Sequence, residues 1–441
     1  MVGQSELPYR MLLRQSGCDL AYTPMLHADE FAGSSEEEMI RQGFSTCAAD
    51  RPLVVQFCSK TPEDFLQAAL MVQDRCDAVD INLGCPQSKA MKGGWGGALM
   101  DEENWHLVYT IVRTAATSSL SVPVTCKIRV FADNKKTIAF AKMLEEAGCS
   151  LLTVHGRQRD RALHHAAANW SAIRAVREAL RIPVVANGGV SSFESAEKCL
   201  EETGCVAVMV ATGLLSNPDL FLPTPLGEAD ETARLRRAAT QCLRYLALCE
   251  THSPWSIRWP RDHLRAILAF ICRARRLPQW TDCCTTASQS EEPSDTGSAS
   301  EEKSGHADIL LALDAVGTEA GPSPPATGAE EALTAYWKRI CQDFRDVLRL
   351  LCTREGLCRD GDTCFDGLAW GSVAMKSDLK VNAVPGVSSS GYVLGGGSKA
   401  AAALARQVPV SKRYTDRQQQ KAAALKSCMV ATSKWSRAEK S

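Results

Sequence analysis

No run of about 18 consecutive apolar residues occurs in the chain, so no segment reads as a membrane-spanning helix. None of the 19 cysteines forms a C-x-x-C pair, and the even spacing of Cys352, Cys358 and Cys364 matches no zinc pattern, so no bound metal is expected. No secretory leader is apparent. The cysteines, spread from Cys18 to Cys428, therefore read as reduced thiols of a cytoplasmic protein, or a nuclear one, and not as a disulfide framework. With 50 basic against 51 acidic residues the net charge is −1, which sets up no global field for a polyanion; any basic surface must be local. No G-x-G-x-x-G follows an apolar segment, which argues against a Rossmann domain.

What the chain does contain is an alternation. Its 441 residues exceed one compact core, and the 45% apolar content is that of an ordinary globular protein. Seven short apolar runs read as strands: 20–25, 53–57, 78–84, 124–130, 151–157, 184–190 and 206–213. Between them lie stretches such as P-E-D-F-L-Q-A-A-L-M-V, whose apolar residues recur at three- and four-residue spacing and so read as amphipathic helices. Strands that are apolar throughout and alternate with helices predict a parallel sheet covered on both faces. The spacing favours an α/β fold of the (β/α)8 TIM-barrel type over residues 1–225. Seven strands are one short of eight, and the opening M-V-G-Q-S-E-L-P-Y-R-M-L-L reads as the loop and helix after a first strand, which is expected to be missing from this chain.

Beyond the barrel, residues 226–284 are helical in pattern and rich in Arg, with Trp255, Trp259 and Trp280 interleaved. Residues 285–329 turn acidic and rich in Ser, Thr, Pro, Gly and Ala, a composition too poor in apolar surface to offset ordering entropy; a disordered insertion is expected. The helical pattern resumes over 330–358 as a second part of the same small domain, and 359–441 reads as a Gly/Ser-rich and then basic disordered tail.

In such a barrel the site is built at the carboxyl ends of the strands. The polar residues collect there: Gln56, Asn82, Cys85, Lys127, Arg129, His155, Arg157, Asn187 with Gly188 and Gly189, and Thr212 with Gly213. Cys85, after D-I-N-L-G and before Pro86, could be core filler, metal ligand, nucleophile or acid. The glycine-rich G-G-W-G-G behind it reads as a loop able to move over a bulky substrate. The late turns A-N-G-G and A-T-G suit backbone N–H groups closing on a phosphate, where barrels commonly hold one. A phosphate there, with Lys, His and Gln facing the mouth, describes a flavin mononucleotide (FMN) site.

The order D-I-N-L-G-C-P, K-I-R, T-V-H-G-R, A-N-G-G resembles the tRNA-dihydrouridine synthases. Q-S-E-L-P-Y-R, Y-T-P-M-L-H, R-P-L-V-V-Q-F-C and V-T-C-K-I-R resemble the eukaryotic branch acting on uridines 16 and 17 of the tRNA D-loop, over residues 1–222 and more loosely over the helices. The resemblance implies reduction of a uracil C5–C6 bond by hydride from reduced FMN, with NADPH as reductant, tRNA as partner, and a monomeric enzyme. It implies that Cys85 is the acid that protonates C5; a thiol of ordinary pKa, about 8.5, is mostly protonated at neutral pH and can donate. By the same resemblance Asn82 and Arg157 contact the substrate, while Gln56, Lys127 and His155 hold FMN and the turns at 187–189 and 212–213 hold its phosphate. Met1 stands where the family's A-P-M motif would end and is expected to border the flavin. The target uridine would have to be flipped out of the D-loop into the barrel mouth. Two alternatives accompany this reading: a tRNA-binding homologue without turnover, and a flavin oxidoreductase of free pyrimidines. The free-pyrimidine enzymes typically read N-x-S-C-P, whereas Gly84 precedes Cys85 here.

Overall fold

The computed structural model describes residues 4–160, 166–223, 231–274, 338–342 and 344–346. Eight strands form one parallel sheet: β1 (Ala21–Tyr22), β2 (Leu26–His27), β3 (Leu53–Cys58), β4 (Ala78–Asn82), β5 (Val124–Arg129), β6 (Leu152–His155), β7 (Val184–Asn187) and β8 (Ala207–Met209). Their spatial order is β1-β3-β4-β5-β6-β7-β8, with β2 also on β3, so each βα unit lays its strand beside the last. This is the right-handed α/β logic of a TIM barrel.

β1 and β2 are two halves of one stave, Ala21 lying opposite Leu53 and Leu26 opposite Phe57. Pro24 interrupts them because it has no N–H to give the ladder. The Thr23 hydroxyl fills in, accepting the Gln56 N–H at 3.0 Å and donating to the Pro24 carbonyl at 2.9 Å. The sheet thus has seven staves, and among the described residues β1 and β8 do not pair with each other.

Helices cover the sheet for the reason their spacing predicted. On the helix Pro62–Val72 the buried residues are Phe65, Ala68, Ala69 and Val72, one face at i, i+3, i+4 and i+7. Thr61 caps it by accepting the Asp64 N–H at 3.2 Å; Ser35, Asp133, Asn169 and Ser192 do the same for four others, each stabilising its helix by about 1 kcal/mol.

After the barrel, the helices Glu231–Thr251 and Arg258–Ala274 pack against its first helix, Leu7–Gln15. The joint is a buried polar clasp. Glu6 accepts from the Tyr245 hydroxyl at 2.6 Å and meets His263 Nε2 at 2.9 Å, while Tyr9 stacks on the His263 ring at 3.7 Å. Burial pushes the Glu6 carboxyl up, but His263 and the hydrogen bonds from His263 and Tyr245 outweigh it and hold the group below its ordinary value. Residues 338–342 and 344–346 are helical too, Cys341 Sγ lying 3.5 Å from the Leu246 carbonyl and Arg345 pairing with Glu250 at 2.6 Å. The expected insertion at 285–329 and tail at 359–441 lie outside the described residues. Among the described residues no helix is long and apolar enough to cross a membrane.

Candidate functional site

Parallel register lines up the polar strand ends. Gln56 lies opposite Asp80, Asn82 opposite Lys127, Arg129 opposite His155, and His155 opposite Asn187. Five staves thus bring six of the expected residues to one rim. Thr212 and Gly213 were expected as a turn; they open the short helix Thr212–Ser216, with Gly213 packed on the Val190 carbonyl just past β7. Gly188 has φ +103°, and a Cβ there would lie 2.6 Å from His155 Cδ2, so only glycine lets the late turn close onto the imidazole. Met1 lies outside the described residues.

Cys85 is half-buried at the start of the loop after β4 and packs with Met25, Cys58, Ala90 and Trp95. Its backbone is fixed from three sides. Asn82 Oδ1 accepts the Gly84 N–H at 3.1 Å and the Cys85 N–H at 3.0 Å. Arg129 Nε donates to the Gly84 carbonyl at 2.8 Å. The Gly97 N–H donates to the Cys85 carbonyl at 2.9 Å. The loop expected to move is therefore tightly packed: Trp95 is buried, Gly96–Met100 form a buried 3-10 turn, and a Cβ on Gly96 would lie 2.9 Å from Cys85 Cβ. Arg159, from the loop after β6, latches the turn by donating to the Gly97 carbonyl at 2.9 Å and pairing with Asp101.

The residues expected to meet substrate have partners within the chain. Asn82 spends its oxygen on the Cys85 loop and one amide hydrogen on Gln56 Oε1 at 3.0 Å, which leaves one N–H for a ligand. Arg129 donates to Gly84 and Gln158 carbonyls, and Arg157 to the Ala166 carbonyl at 2.6 Å, so both cations brace loops at the mouth.

Electrostatically the mouth is cationic. Burial, then Arg129, push the Lys127 amine down to about 8. Burial, then Lys127, Arg129 and Arg157, push His155 down to about 2, so its imidazole is neutral. Lys127 Nζ makes no hydrogen bond among the described residues, so its three donors, with Arg129 and Arg157 also at the mouth, suit an acceptor-rich, anionic partner. That chemistry fits the phosphate and the reduced ring of a flavin mononucleotide. Gln56, Lys127, His155, the turn at 187–189 and the Thr212–Gly213 start of the short helix are the groups that would hold it. Among the described residues no cluster of three or more potential metal ligands occurs.

Sequence reasoning missed Asp80, treating it as part of a strand. It is fully buried, accepts from Thr125 Oγ1 at 2.6 Å and from Gln56 Nε2 at 2.8 Å, and burial pushes its carboxyl up to about 6. The signal was available: an acid two residues before Asn82 on one strand shares its face.

The sequence profile of a family described as Dihydrouridine synthase (Dus) matches residues 1–302. A protein of Rattus norvegicus named tRNA-dihydrouridine(16/17) synthase (NAD(P)(+))-like is 50% identical over 222 residues, 50% of this chain and 50% of that protein. Saccharomyces cerevisiae has a tRNA-dihydrouridine(16/17) synthase (NAD(P)(+)) that is 47% identical over 225 residues, 50% of this chain and 52% of its own. The like-named protein of Schizosaccharomyces pombe is 44% identical over 226 residues, 51% of this chain and 56% of its own. The chain spans about half the length of these relatives.

Proposed function

The chain belongs to the dihydrouridine synthase family, and on that premise we propose that it reduces a uridine of the tRNA D-loop, at position 16 or 17, with FMN as hydride carrier and NADPH as reductant. The names of the relatives support the positions and the nicotinamide reductant. FMN, when bound and reduced, supplies hydride to C6 of the uracil. The rest falls to this chain's own side chains. Lys127 and the neutral imidazole of His155 offer N–H donors to the electron-rich edge of the ring, and Gln56 donates beside them. Cys85 holds the proton that C5 receives, and the remaining Asn82 N–H meets the base. Arg157 stands by at the mouth for the backbone of the flipped nucleotide. The Arg-bearing helices Glu231–Thr251 and Arg258–Ala274 lie beside the barrel and supply a platform for phosphates.

The observation that carries this reading is the half-buried Cys85, pinned by its backbone beside Lys127, whose amine makes no hydrogen bond among the described residues. The test is mass-spectrometric mapping of dihydrouridine in tRNA incubated with the full-length protein and NADPH. Cys85→Ala is expected to keep flavin and its reduction by NADPH while losing dihydrouridine formation; normal product would remove Cys85 from the role. Lys127→Ala is expected to lose flavin absorbance on purification, and a fully yellow variant would contradict its part.

A further inference from the structure

A line of hydrogen bonds runs from the barrel interior to the Cys85 loop. Asp80 accepts from Thr125 Oγ1 and Gln56 Nε2. Gln56 Oε1 accepts from Asn82 Nδ2, and Asn82 Oδ1 accepts from the Gly84 and Cys85 N–H groups. The line has a single polarity. An ionised carboxylate at one end can only accept, and backbone N–H groups at the other can only donate. Each carboxamide between them has one orientation that serves both ends. Were Gln56 turned over, its oxygen would face Asp80 and its amide would face Asn82. Asn82 would then turn as well and present N–H groups to the N–H groups of Gly84 and Cys85. Gln56 and Asp80 are buried, so no bulk water relieves such a mismatch.

We propose that Asp80 is a positioning residue of this site: through Gln56 and Asn82 it sets the carboxamide orientation that holds the Gly84–Cys85 backbone, and with it the Cys85 thiol. The proposal rests on the reading of Cys85 as the proton donor, but its first readout does not.

That readout is amide hydrogen exchange in the full-length protein. In Asp80→Ala the Gly84 and Cys85 amides are expected to exchange about tenfold faster, with amides of β6 and β7 unchanged. Dihydrouridine formation should fall by ~10- to ~100-fold. Asp80→Asn should restore both, because its oxygen can face Gln56 while its Nδ2 donates to Thr125 Oγ1, whose hydrogen turns to the Val79 carbonyl 3.4 Å away. Adding Thr125→Val to Asp80→Asn removes that acceptor and should bring back the fast exchange. The proposal is overturned if Asp80→Asn with and without Thr125→Val exchange alike at Gly84 and Cys85. It is overturned equally if protection is lost evenly over β5 to β7, the mark of general destabilisation. Should Asp80→Ala fail to fold, the two Asn variants decide the matter alone. Were Cys85→Ala still to form dihydrouridine, the proton-donor role would fall while the exchange result stood.

Discussion

Lys127 and Asp80 sit on adjacent strands, and burial moves both toward their neutral forms, the amine from 10.5 to about 8 and the carboxyl from 3.8 to about 6. For Asp80 the folded value lies above the unfolded one. Its contribution to stability is therefore fully present below the unfolded value and is lost as pH rises through about 6. At neutral pH the buried carboxylate thus costs the fold on the order of 3 kcal/mol. Asp80→Asn removes the titration, so the variant should gain on the wild type between about pH 4 and pH 7. Urea unfolding across that range checks this; a gap that does not change with pH would count against it. Lys127 has the same sign of consequence from the other side. Its folded value lies below the unfolded one, so protein free of ligand should become more stable as pH rises above about 8, and Lys127→Met should abolish that rise.

Among the elements, the buried 3-10 turn Gly96–Met100 depends most directly on its residue types. Gly96 combines a φ of +61° with a Cβ position 2.9 Å from Cys85 Cβ. Gly96→Ala is expected to destabilise by about 1–3 kcal/mol and to speed alkylation of Cys85, as seen by denaturation midpoint and peptide mass. An unchanged alkylation rate would mean the turn does not brace the cysteine. Glycine content was legible in the sequence, but its meaning was not: the same G-G-W-G-G composition suits a mobile loop and a turn that needs missing side chains to pack. Strands β3 to β7 were legible because they are largely buried and each carries a short apolar run, as in L-V-V-Q-F-C. The split of the first stave at Pro24 was visible in principle, whereas the Thr23 hydroxyl that repairs it is a tertiary fact. Strand ends told where Gln56, Asn82, Lys127 and His155 would meet. Their hydrogen-bond partners, and Asp80 beneath them, emerge only when neighbouring strands are in register.

At the scale of the whole molecule, the barrel is tied to the following helices by Glu6, Tyr9, Tyr245 and His263, all buried. Tyr245→Phe leaves one acceptor bond of Glu6 unmade inside the core and should cost about 1–3 kcal/mol by thermal or urea unfolding. Glu6 is held below its ordinary value of 4.5, so its contribution is present at neutral pH and is lost as pH falls below that value. Tyr245→Phe should accordingly differ less from the wild type in acid. On the helix Leu7–Gln15, Tyr9 also donates to the Leu214 carbonyl at 2.8 Å, and Ser16, just after it, donates to Asp219 at 2.5 Å. These bonds join residues separated by 203 to 257 positions along the chain. Contacts of such long sequence separation are expected to form after neighbouring staves have paired, which predicts that the clasp is a late event in folding. Its energy then acts on escape from the native state and not on arrival there. Tyr245→Phe should raise the unfolding rate while leaving the refolding rate nearly unchanged, which would make the clasp a kinetic latch on the barrel.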